Sequence, residues 1–533
     1  MAEPFRRAVL LVVDGFGVSL RPQGNAVMAA RTPTFNYLEK HYPFLTLKSS
    51  GISVGLSWLE AGNSEVGHMT MGTGRITYQY LPRIIQAIRD GSFFKNEAFV
   101  GAVDHVLKHD GKLHILGLLG TGSVHSYIDH LYALLDLAEL NKITERTFLH
   151  LYTDGKDSLP QEGAQFVANL KERLDKRQLG RIASVVGRFY SMDRDLKWDR
   201  TQTAYNLFVS GAGQKYKDPI KAIRDAYAAG KNDTNVAPTV ITGQDNEPLA
   251  TIGPNDAVIF FDYREDSERQ MVRTFVEPDK VGFECAPIKN LYVATMTRYE
   301  DELKAHIAFN PPEIANCLAE ALSKGRKRQI HIAETEKYAH VTYFFNGSIE
   351  RPFPGEDREL VATAEVGKFD ELPEMRTPDI ADKILGALER DEHEFIIANF
   401  ANTDLVSHSG NFEAAVLAVE SVDTALQKIV SAIEATDDTV LLVTSDHGKC
   451  EAMIDPFTGE KLTEHSPNNV PFYVVAPRFK GEHTSIDIFK MKNHSAGLLS
   501  DVAPTILELL ALPVPPEMTG SSLLKELGIA YAQ

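Results

Sequence analysis

The sequence is poor in cysteine and has no long apolar run. Its 533 residues include only three cysteines, Cys285, Cys317 and Cys450, and no Cys-x-x-Cys pair. We therefore expect neither a disulfide framework nor a thiolate zinc site, and the scarcity of cysteine favours a reducing, cytoplasmic location. No apolar stretch approaches the length needed to span a bilayer, so we expect no membrane partner.

Positive charge is also scarce. The chain has 55 Lys and Arg against 73 Asp and Glu, a formal net charge of −18. Such a surface repels phosphate backbones, so we expect no nucleic-acid partner. A GxxxxGK[ST] phosphate loop, internal repeats and low-complexity tracts are all absent from the sequence. A small anionic substrate would therefore need a local basic pocket within an otherwise ordinary globular composition.

Short, continuous apolar runs that end in charged residues are the strongest pattern in the sequence. Near the two chain ends, Ala8–Val13 leads to Asp14, 394–399 leads towards Asp404, and Thr439–Thr444 leads to Asp446 and His447. Runs that are apolar at every position predict parallel strands buried on both faces. Helical patterns such as 412–433 lie between them, and this alternation predicts a doubly wound α/β sheet with its ligand site beyond the carboxyl ends of the strands.

The middle of the chain repeats this pattern independently. Apolar runs occupy 112–119, 147–152, 182–186, 257–261 and 291–296, and they end in residues rich in Arg, Lys, His and Asp. We therefore predict two doubly wound α/β domains, one inserted into the other. The first, 1–80 with 313–533, would carry an acidic metal site, and the inserted domain, 83–309, would carry a basic anion site.

Carboxylates and imidazoles in the first domain are candidate metal ligands. Asp404 and His408 are four residues apart, which on a helix puts both side chains on one face. Oxygen and nitrogen donors without thiolates suit Mn²⁺, Zn²⁺ or Mg²⁺. Each residue alone has an ordinary explanation as a helix cap or a core histidine, but their joint occurrence after buried strands weakens it. The candidates are Asp14, Asp404, His408, Asp446, His447 and His465.

Ser64 allows two interpretations. It is either the N-cap of a helix or, beside a metal that lowers the pKa of its hydroxyl, a nucleophile. In the middle of the chain, Asp157 next to Lys156 is a candidate acid/base group, and His125 a candidate to orient a substrate hydroxyl. We group four cations there as candidate anion ligands, with surface ion pairs as the ordinary alternative. They are Arg188, Arg194, Arg264 and Lys337.

Eight motifs occur in order along the chain: NSEVGH at 63–68, Gly72-x-Gly74-Arg75, VHS at 124–126, DGKD at 154–157, GRFYSMDR at 187–194, WDR at 198–200, SDHG at 445–448 and HSPNNVP at 465–471. In this order they resemble the motifs of the 2,3-bisphosphoglycerate-independent phosphoglycerate mutases, a family of the alkaline phosphatase superfamily. The resemblance covers essentially the whole chain. It implies an alkaline-phosphatase-like domain with an inserted transferase domain, and an isomerase of glycolysis that interconverts 3- and 2-phosphoglycerate without bisphosphoglycerate.

The resemblance also implies roles for the candidate residues. Two metal ions, usually Mn²⁺ with Mg²⁺, Co²⁺ or Zn²⁺ as alternatives, would be bound by Asp404, His408 and His465 and by Asp14, Ser64, Asp446 and His447. Ser64 matches the nucleophile that becomes phosphoserine, and Asp157 matches the acid/base residue. The substrate ligands would be His125, Lys156, Arg188, Arg194, Arg264 and Lys337. We expect phosphoglycerate as the only partner of a monomer.

Departures from the family concentrate in the anion pocket. Lys156 stands where the family usually has Arg, and Ser267 stands where a second Arg usually follows Arg264. We hypothesise that Arg269 or Arg298 supplies the missing cation. Two other functions stay open, a phosphoester hydrolase of the same superfamily and a non-catalytic phosphoglycerate-binding protein. The order of the motifs favours the isomerase.

Overall fold

A computed structural model describes residues 3–58 and 60–529 of the chain. This part of the chain contains sixteen strands. The strands are β1 Arg7–Val13, β2 Phe44–Lys48, β3 Leu113–Leu119, β4 Thr147–Thr153, β5 Arg181–Gly187, β6 Gln214–Tyr216, β7 Thr239–Ile241, β8 Ala257–Phe260, β9 Tyr292–Thr297, β10 His306–Phe309, β11 Gln329–Glu334, β12 Glu356–Val361, β13 Phe395–Phe400, β14 Thr439–Thr444, β15 Val470–Val475 and β16 Ser495–Leu498.

Seventeen α-helices connect these strands within the same described residues. The helices are α1 Ala26–Ala29, α2 Pro33–His41, α3 Ser64–Thr73, α4 Tyr80–Asp90, α5 Glu97–His109, α6 Ile128–Leu140, α7 Gly163–Arg177, α8 Arg188–Ser191, α9 Trp198–Ser210, α10 Pro219–Ala228, α11 Arg269–Val276, α12 Leu318–Lys324, α13 Thr377–Arg390, α14 Asn402–Ser407, α15 Phe412–Glu434, α16 Ser485–Asn493 and α17 Val502–Leu509. Over the described residues, none of the helices combines the length and the apolar character that a membrane span requires.

The chain divides into two compact units. Unit 1 consists of residues 1–79 and 312–533, and unit 2 consists of residues 80–311, so unit 2 is a single segment between the two segments of unit 1. Each unit is built on one eight-stranded sheet. The predicted fold class, two doubly wound α/β sheets, is confirmed.

The sheet of unit 1 is buried on both faces. Its strand order is β12-β11-β13-β1-β14-β15-β2-β16, and the strands from β12 to β14 run parallel. Side chains of β1 alternate between two cores: Ala8, Leu10 and Val12 pack with α3, α12 and α17, whereas Val9 and Leu11 pack with α2, α13 and α15. A strand covered on both sides has no polar face, which explains the unbroken apolar runs.

Unit 2 follows the same plan. Its strand order is β10-β9-β8-β3-β4-β5-β7-β6, and β8, β3, β4 and β5 are adjacent and parallel. Leu113 and Ile115 face a core shared with α5, α6 and α7, while Leu116 and Leu118 face a core shared with α9 and α11. The carboxyl ends of these four central strands therefore meet at one edge of the sheet.

One histidine of this core is buried with its ring nitrogens unpaired within the described part of the chain. His130, on α6, is fully buried between the rings of Tyr127 and Tyr263, and neither of its ring nitrogens has a hydrogen-bond partner among the described residues. Burial disfavours the charged imidazolium and lowers the pKa of His130 to about 3. In an unfolded chain a histidine has a pKa of about 6.5. Between these two values only the unfolded state binds the proton, so His130 costs stability as the pH falls below about 6.5.

We predict that His130→Phe reduces the acid sensitivity of unit 2. Each pH unit in this window is worth about 1.4 kcal/mol, so from pH 7 to pH 5 the wild type should lose about 2 kcal/mol more unfolding free energy than the variant. A Trp58→Phe background leaves Trp198 as the single tryptophan and the reporter of unit 2 in urea denaturation. His494→Phe, at an exposed position, is the control. Parallel pH curves for wild type and His130→Phe would refute this account.

Candidate active site

Three carboxylates of unit 1 lie at the carboxyl ends of three adjacent strands. Asp14 follows β1, Asp404 lies on α14 just after β13, and Asp446 follows β14. The three strands pair in parallel with β1 in the centre, so their ends meet at the same sheet edge. All three carboxylates are buried. The site thus stands where the sequence predicts a ligand site in a doubly wound sheet.

Asp404, His408 and His465 form the first cluster, which we call the Asp404 group. The Nε2 atoms of His408 and His465 lie 3.2 and 3.4 Å from Asp404 Oδ1. His408 donates its Nδ1–H to the carbonyl of Thr463 and His465 donates its Nδ1–H to the carbonyl of Gly62, both at 2.8 Å. Because a carbonyl only accepts, Nδ1 of each imidazole is the donor, and each Nε2 is left facing Asp404 Oδ1 as a potential metal ligand.

Asp14, Asp446 and His447 form the second cluster, the Asp14 group. His447 Nε2 lies 3.5 Å from Asp14 Oδ1 and 3.7 Å from Asp446 Oδ2. In each of the two groups, one potential ligand atom per residue lies within 4.8 Å of the others. Burial alone would lower the pKa of His447, but Asp446 and Asp14 outweigh it and raise that pKa to about 9.

Ser64 points into the Asp14 group. Its Oγ donates to Asp14 Oδ1 at 3.1 Å and lies 3.1 Å from His447 Nε2. The N-cap of α3 is Asn63, whose side chain accepts from Val66 N, and Ser64 is the first helical residue. The N-cap interpretation of Ser64 is therefore wrong, and its hydroxyl is directed to the two ionisable groups. Gly67 allows this approach, because a Cβ there would lie 2.6 Å from the carbonyl oxygen of Asp446.

Lys337 lies in unit 1, which corrects its grouping with the anion ligands of the middle domain. It follows β11, and its Nζ donates to Asp14 Oδ1 at 2.7 Å, Ser64 Oγ at 2.7 Å and Asp404 Oδ2 at 2.8 Å. Burial would lower the pKa of Lys337, but the carboxylates of Asp14 and Asp404 outweigh it and raise that pKa above its ordinary value. A single ammonium group thus links both groups to the Ser64 hydroxyl.

The residues of the two groups fit divalent metal ions. Among the residues that the structure describes, no hydrogen-bond donor reaches the buried carboxylate oxygens Asp404 Oδ1 and Asp446 Oδ2. Although burial opposes ionisation, Lys337 holds the pKa of Asp404 well below its ordinary range, and His447 does so for Asp446. Buried, ionised oxygens without a donor need a cation. Together with the imidazole nitrogens they form the oxygen and nitrogen donor set of Mn²⁺ or Zn²⁺ sites.

In unit 2, predicted anion ligands meet beyond β3, β4, β5 and β8. Arg188 donates to Asp157 Oδ2 at 2.6 Å and to Asp154 Oδ1 at 2.5 Å. His125 Nε2 lies 3.6 Å from Asp157 Oδ2. Burial and the neighbouring Arg188 lower the pKa of His125 to about 4. The imidazole beside the candidate acid/base carboxylate is therefore neutral at physiological pH.

Asp266 connects the two remaining arginines of this site. Its Oδ2 accepts from Arg194 at 2.5 Å and lies 3.1 Å from Arg264. Its Oδ1 lies 3.8 Å from His125 Nδ1. We call the set of Arg188, Arg194, Arg264, His125, Asp154, Asp157 and Asp266 the arginine cluster. The structure brings every predicted anion ligand of the middle domain into it except Lys156, which is exposed.

The hypothesis that another arginine replaces the family residue at Ser267 finds no support in the contacts. Ser267 is buried, and its Oγ donates to Asp266 Oδ1 at 3.2 Å. Arg269 donates to the carbonyl of Tyr299, and Arg298 contacts Asp301 and Asn310. Neither guanidinium contacts a member of the arginine cluster among the residues that the structure describes.

Four polar residues at the two sites were missed by the sequence analysis. Asp154 and Asp266 bind arginines in unit 2, while His68 and Asn399 lie beside the Asp14 group. His68 carried a signal, because it lies four residues after Ser64 on the same helix face. Asn399 is a polar residue at the end of an apolar run, Asp154 stands within the DGKD motif, and Asp266 lies between Arg264 and Ser267.

Comparison with known proteins gives matches along the whole chain. Residues 84–301 match the family described as BPG-independent PGAM N-terminus. A 2,3-bisphosphoglycerate-independent phosphoglycerate mutase of Moorella thermoacetica is 43% identical over 520 residues, covering 97% of this chain and 98% of that protein. One of Thermomicrobium roseum is 45% identical over 519 residues, covering 97% of each. The crystal structure of Leishmania mexicana phosphoglycerate mutase at low cobalt concentration aligns with a TM-score of 0.56 and 27% identity, covering 97% of each chain.

Two sheet-based α/β units and relatives that match at full length define an enzyme of the isomerase class. The chain belongs to the family of 2,3-bisphosphoglycerate-independent phosphoglycerate mutases.

We predict that Lys337→Met strongly destabilises the metal-free protein. The substitution leaves Asp14 and Asp404 buried without their shared cation, and breaking a buried ion pair in this way costs about 3–5 kcal/mol. Urea denaturation after treatment with EDTA measures the loss. Lys449→Met is the matched control, because Lys449 is also fully buried but donates to the carbonyl of Leu462. Equal losses in the two variants would show that the carboxylates do not depend on Lys337.

Proposed function

We propose that this protein interconverts 3-phosphoglycerate and 2-phosphoglycerate through a phosphoserine intermediate on Ser64, with two divalent metal ions. The observation that carries the proposal is the position of Ser64 Oγ, within 3.1 Å of Asp14 Oδ1 and His447 Nε2 and 2.7 Å from Lys337 Nζ. A serine hydroxyl is a weak nucleophile unless a base or a cation favours its alkoxide. The site supplies several such groups around one oxygen.

The residues of unit 1 would carry the phosphoryl transfer. Asp404, His408 and His465 would hold one metal ion, and Asp14, Ser64, Asp446 and His447 would hold the other. Bound there, divalent ions neutralise phosphoryl oxygens and favour ionisation of a hydroxyl. Ser64 Oγ would give its proton to Asp14 Oδ1, to which it donates a hydrogen bond, and attack phosphorus while the bond from phosphorus to the glycerate oxygen breaks. The Lys337 ammonium, which donates to Oγ, would stabilise the serine oxygen as it loses that proton.

The residues of unit 2 would hold the glycerate between two transfers. Arg188, Arg194 and Arg264 offer guanidinium groups that match carboxylate or phosphate oxygens. The Asp157 carboxylate would take a proton from the glycerate hydroxyl that attacks the phosphoserine next and give it to the glycerate oxygen that has left phosphorus. Neutral His125 lies next to Asp157 and orients that hydroxyl. Retaining the glycerate in this way distinguishes a mutase from a phosphatase.

The reaction is tested by incubating the protein with 3-phosphoglycerate and Mn²⁺ in the absence of bisphosphoglycerate and recording phosphorus NMR spectra. The proposal expects the resonance of 2-phosphoglycerate to grow to an equilibrium. Release of inorganic phosphate would instead identify a hydrolase. An unchanged spectrum would indicate a protein that binds phosphoglycerate without catalysing a reaction.

We predict that Ser64→Ala abolishes turnover and leaves the fold intact. The substitution removes one hydroxyl and little packing, whereas the proposed covalent step needs the oxygen. Phosphorus NMR measures the activity, and peptide mapping of acid-quenched wild type should place the phosphoryl group on Ser64. Ser431→Ala, on the exposed side of α15, is the control. Mutase activity near the wild-type level in Ser64→Ala would exclude the phosphoserine route.

We also predict that removing divalent metal abolishes activity and that Mn²⁺ restores it. The physical reason is that six of the seven predicted ligands converge in two groups, and five of these six are buried or half-buried, with His408 exposed. Dialysis against a chelator followed by metal analysis and titration with Mn²⁺ provides the measurement. Full turnover in a sample shown to be free of metal would contradict the two-metal part of the proposal.

A further inference from the structure

A buried pair of side chains behind the Asp14 group has no role in the mechanism above. His68 lies on α3 one turn after Ser64, and Asn399 lies near the end of β13. Both side chains are completely inaccessible to solvent. A buried imidazole and a buried amide are costly to desolvate unless hydrogen bonds compensate them. Their partners are therefore informative.

The hydrogen bonds of His68 fix which nitrogen carries the proton. Nδ1 lies 2.9 Å from the carbonyl oxygen of Ser64, which can only accept, so Nδ1 is the donor. The same nitrogen lies 3.2 Å from Asp446 Oδ2, but its hydrogen is directed to the Ser64 carbonyl, so this carboxylate oxygen has no hydrogen-bond donor among the described residues. Nε2 then accepts from the Asn399 amide at 3.1 Å.

Asn399 extends the connection to the other carboxylate. Its Nδ2 carries two hydrogens and donates one to His68 Nε2 and the other to Asp14 Oδ2 at 2.8 Å. The chain of contacts thus runs from the Ser64 carbonyl through His68 and Asn399 to Asp14, with Asp446 beside the imidazole. These contacts reach the backbone of Ser64 and the carboxylates of Asp14 and Asp446. Asp14 Oδ1 takes no part in them and accepts hydrogen bonds from Ser64 and Lys337 instead.

We propose that His68 and Asn399 are positioning residues that fix Asp14 and Asp446 for binding of the metal ion of the Asp14 group. The inference rests on the proposed function, because it assumes that this group binds a metal. A carboxylate that accepts a hydrogen bond from an amide at one oxygen presents its other oxygen in a fixed direction. Less conformational entropy is therefore lost when the ion binds. Partners of this kind change metal affinity by about 10- to 100-fold when removed.

The test is titration of metal-free protein with Mn²⁺, with the free ion measured by EPR. Wild type should bind two ions. His68→Leu removes the contacts with the Ser64 carbonyl, Asp446 and Asn399 and should weaken one of the two sites about 10- to 100-fold. His68→Asn restores a donor near Nδ1, and His68→Gln restores an acceptor near Nε2, so each should recover part of the affinity.

Two further variants separate positioning from packing. His331→Leu is the matched control: His331 is also a fully buried histidine of unit 1, and its Nδ1 contacts the carbonyl of Val341. It should change stability without changing Mn²⁺ affinity. Asn399→Leu should weaken the same site as His68→Leu, and the double variant should lose much less than the product of the two single losses, because both residues act through one chain.

The outcomes distinguish this inference from the function on which it rests. If wild type binds no Mn²⁺, the two-metal function fails and the inference fails with it. If wild type binds two ions and His68→Leu binds them equally well, only the inference is overturned. It is also overturned if His68→Asn and His68→Gln are both as weak as His68→Leu, because the loss then comes from packing.

Discussion

Burial of three carboxylates at one sheet edge is the constraint on which unit 1 depends. Asp14, Asp404 and Asp446 are withdrawn from water, where an ionised carboxylate is stable only with a cation or several donors beside it. Lys337 supplies a positive charge to two of them, and backbone N–H groups of Gly15 and His447 donate to Asp446 Oδ1. Two carboxylate oxygens still lack donors. Burying these carboxylates therefore costs folding stability, and the same burial leaves oxygen atoms that can bind cations.

Much of this arrangement could be predicted from the sequence, because the carboxyl ends of adjacent parallel strands lie at the same edge of a sheet. An apolar run followed by Asp or His fixes both a strand and the sheet edge at which the polar residue lies. The position of Lys337 between the carboxylates could not be predicted, because β11, with the sequence QIHIAE, alternates polar and apolar residues and does not resemble a buried strand. Its polar side chains are nevertheless buried, and contacts of His331 with Val341 and of Gln329 with Ala319 satisfy two of them. Such pairings between distant segments are not visible in a single sequence.

The same limit explains what the sequence analysis missed in unit 2. The sequence pattern predicts the cations Arg188, Arg194 and Arg264, but it does not predict the aspartates that pair with them. Asp154 lies in the motif that was quoted for Asp157, and Asp266 lies two residues after Arg264, yet neither spacing indicates an ion pair with an arginine from another loop. Burial opposes ionisation of Asp266, but Arg264 outweighs it and lowers the pKa of that carboxyl. The neighbouring arginine therefore favours the ionised form of the Asp266 carboxyl.

The ion pairs between aspartates and arginines bear on the effect of Ser267, which stands where the family usually has an arginine. Three arginines and three aspartates of the arginine cluster have formal charges that cancel, so the cluster has no excess positive charge to attract an anion. An anion that binds there gains most by taking the place of Asp266 between Arg194 and Arg264, since that carboxylate already occupies both guanidinium groups. The Ser267 hydroxyl donates to the other oxygen of Asp266. On the proposed function, the residue at position 267 would therefore affect anion binding through Asp266, and a missing cation at that position does not by itself imply a missing binding site.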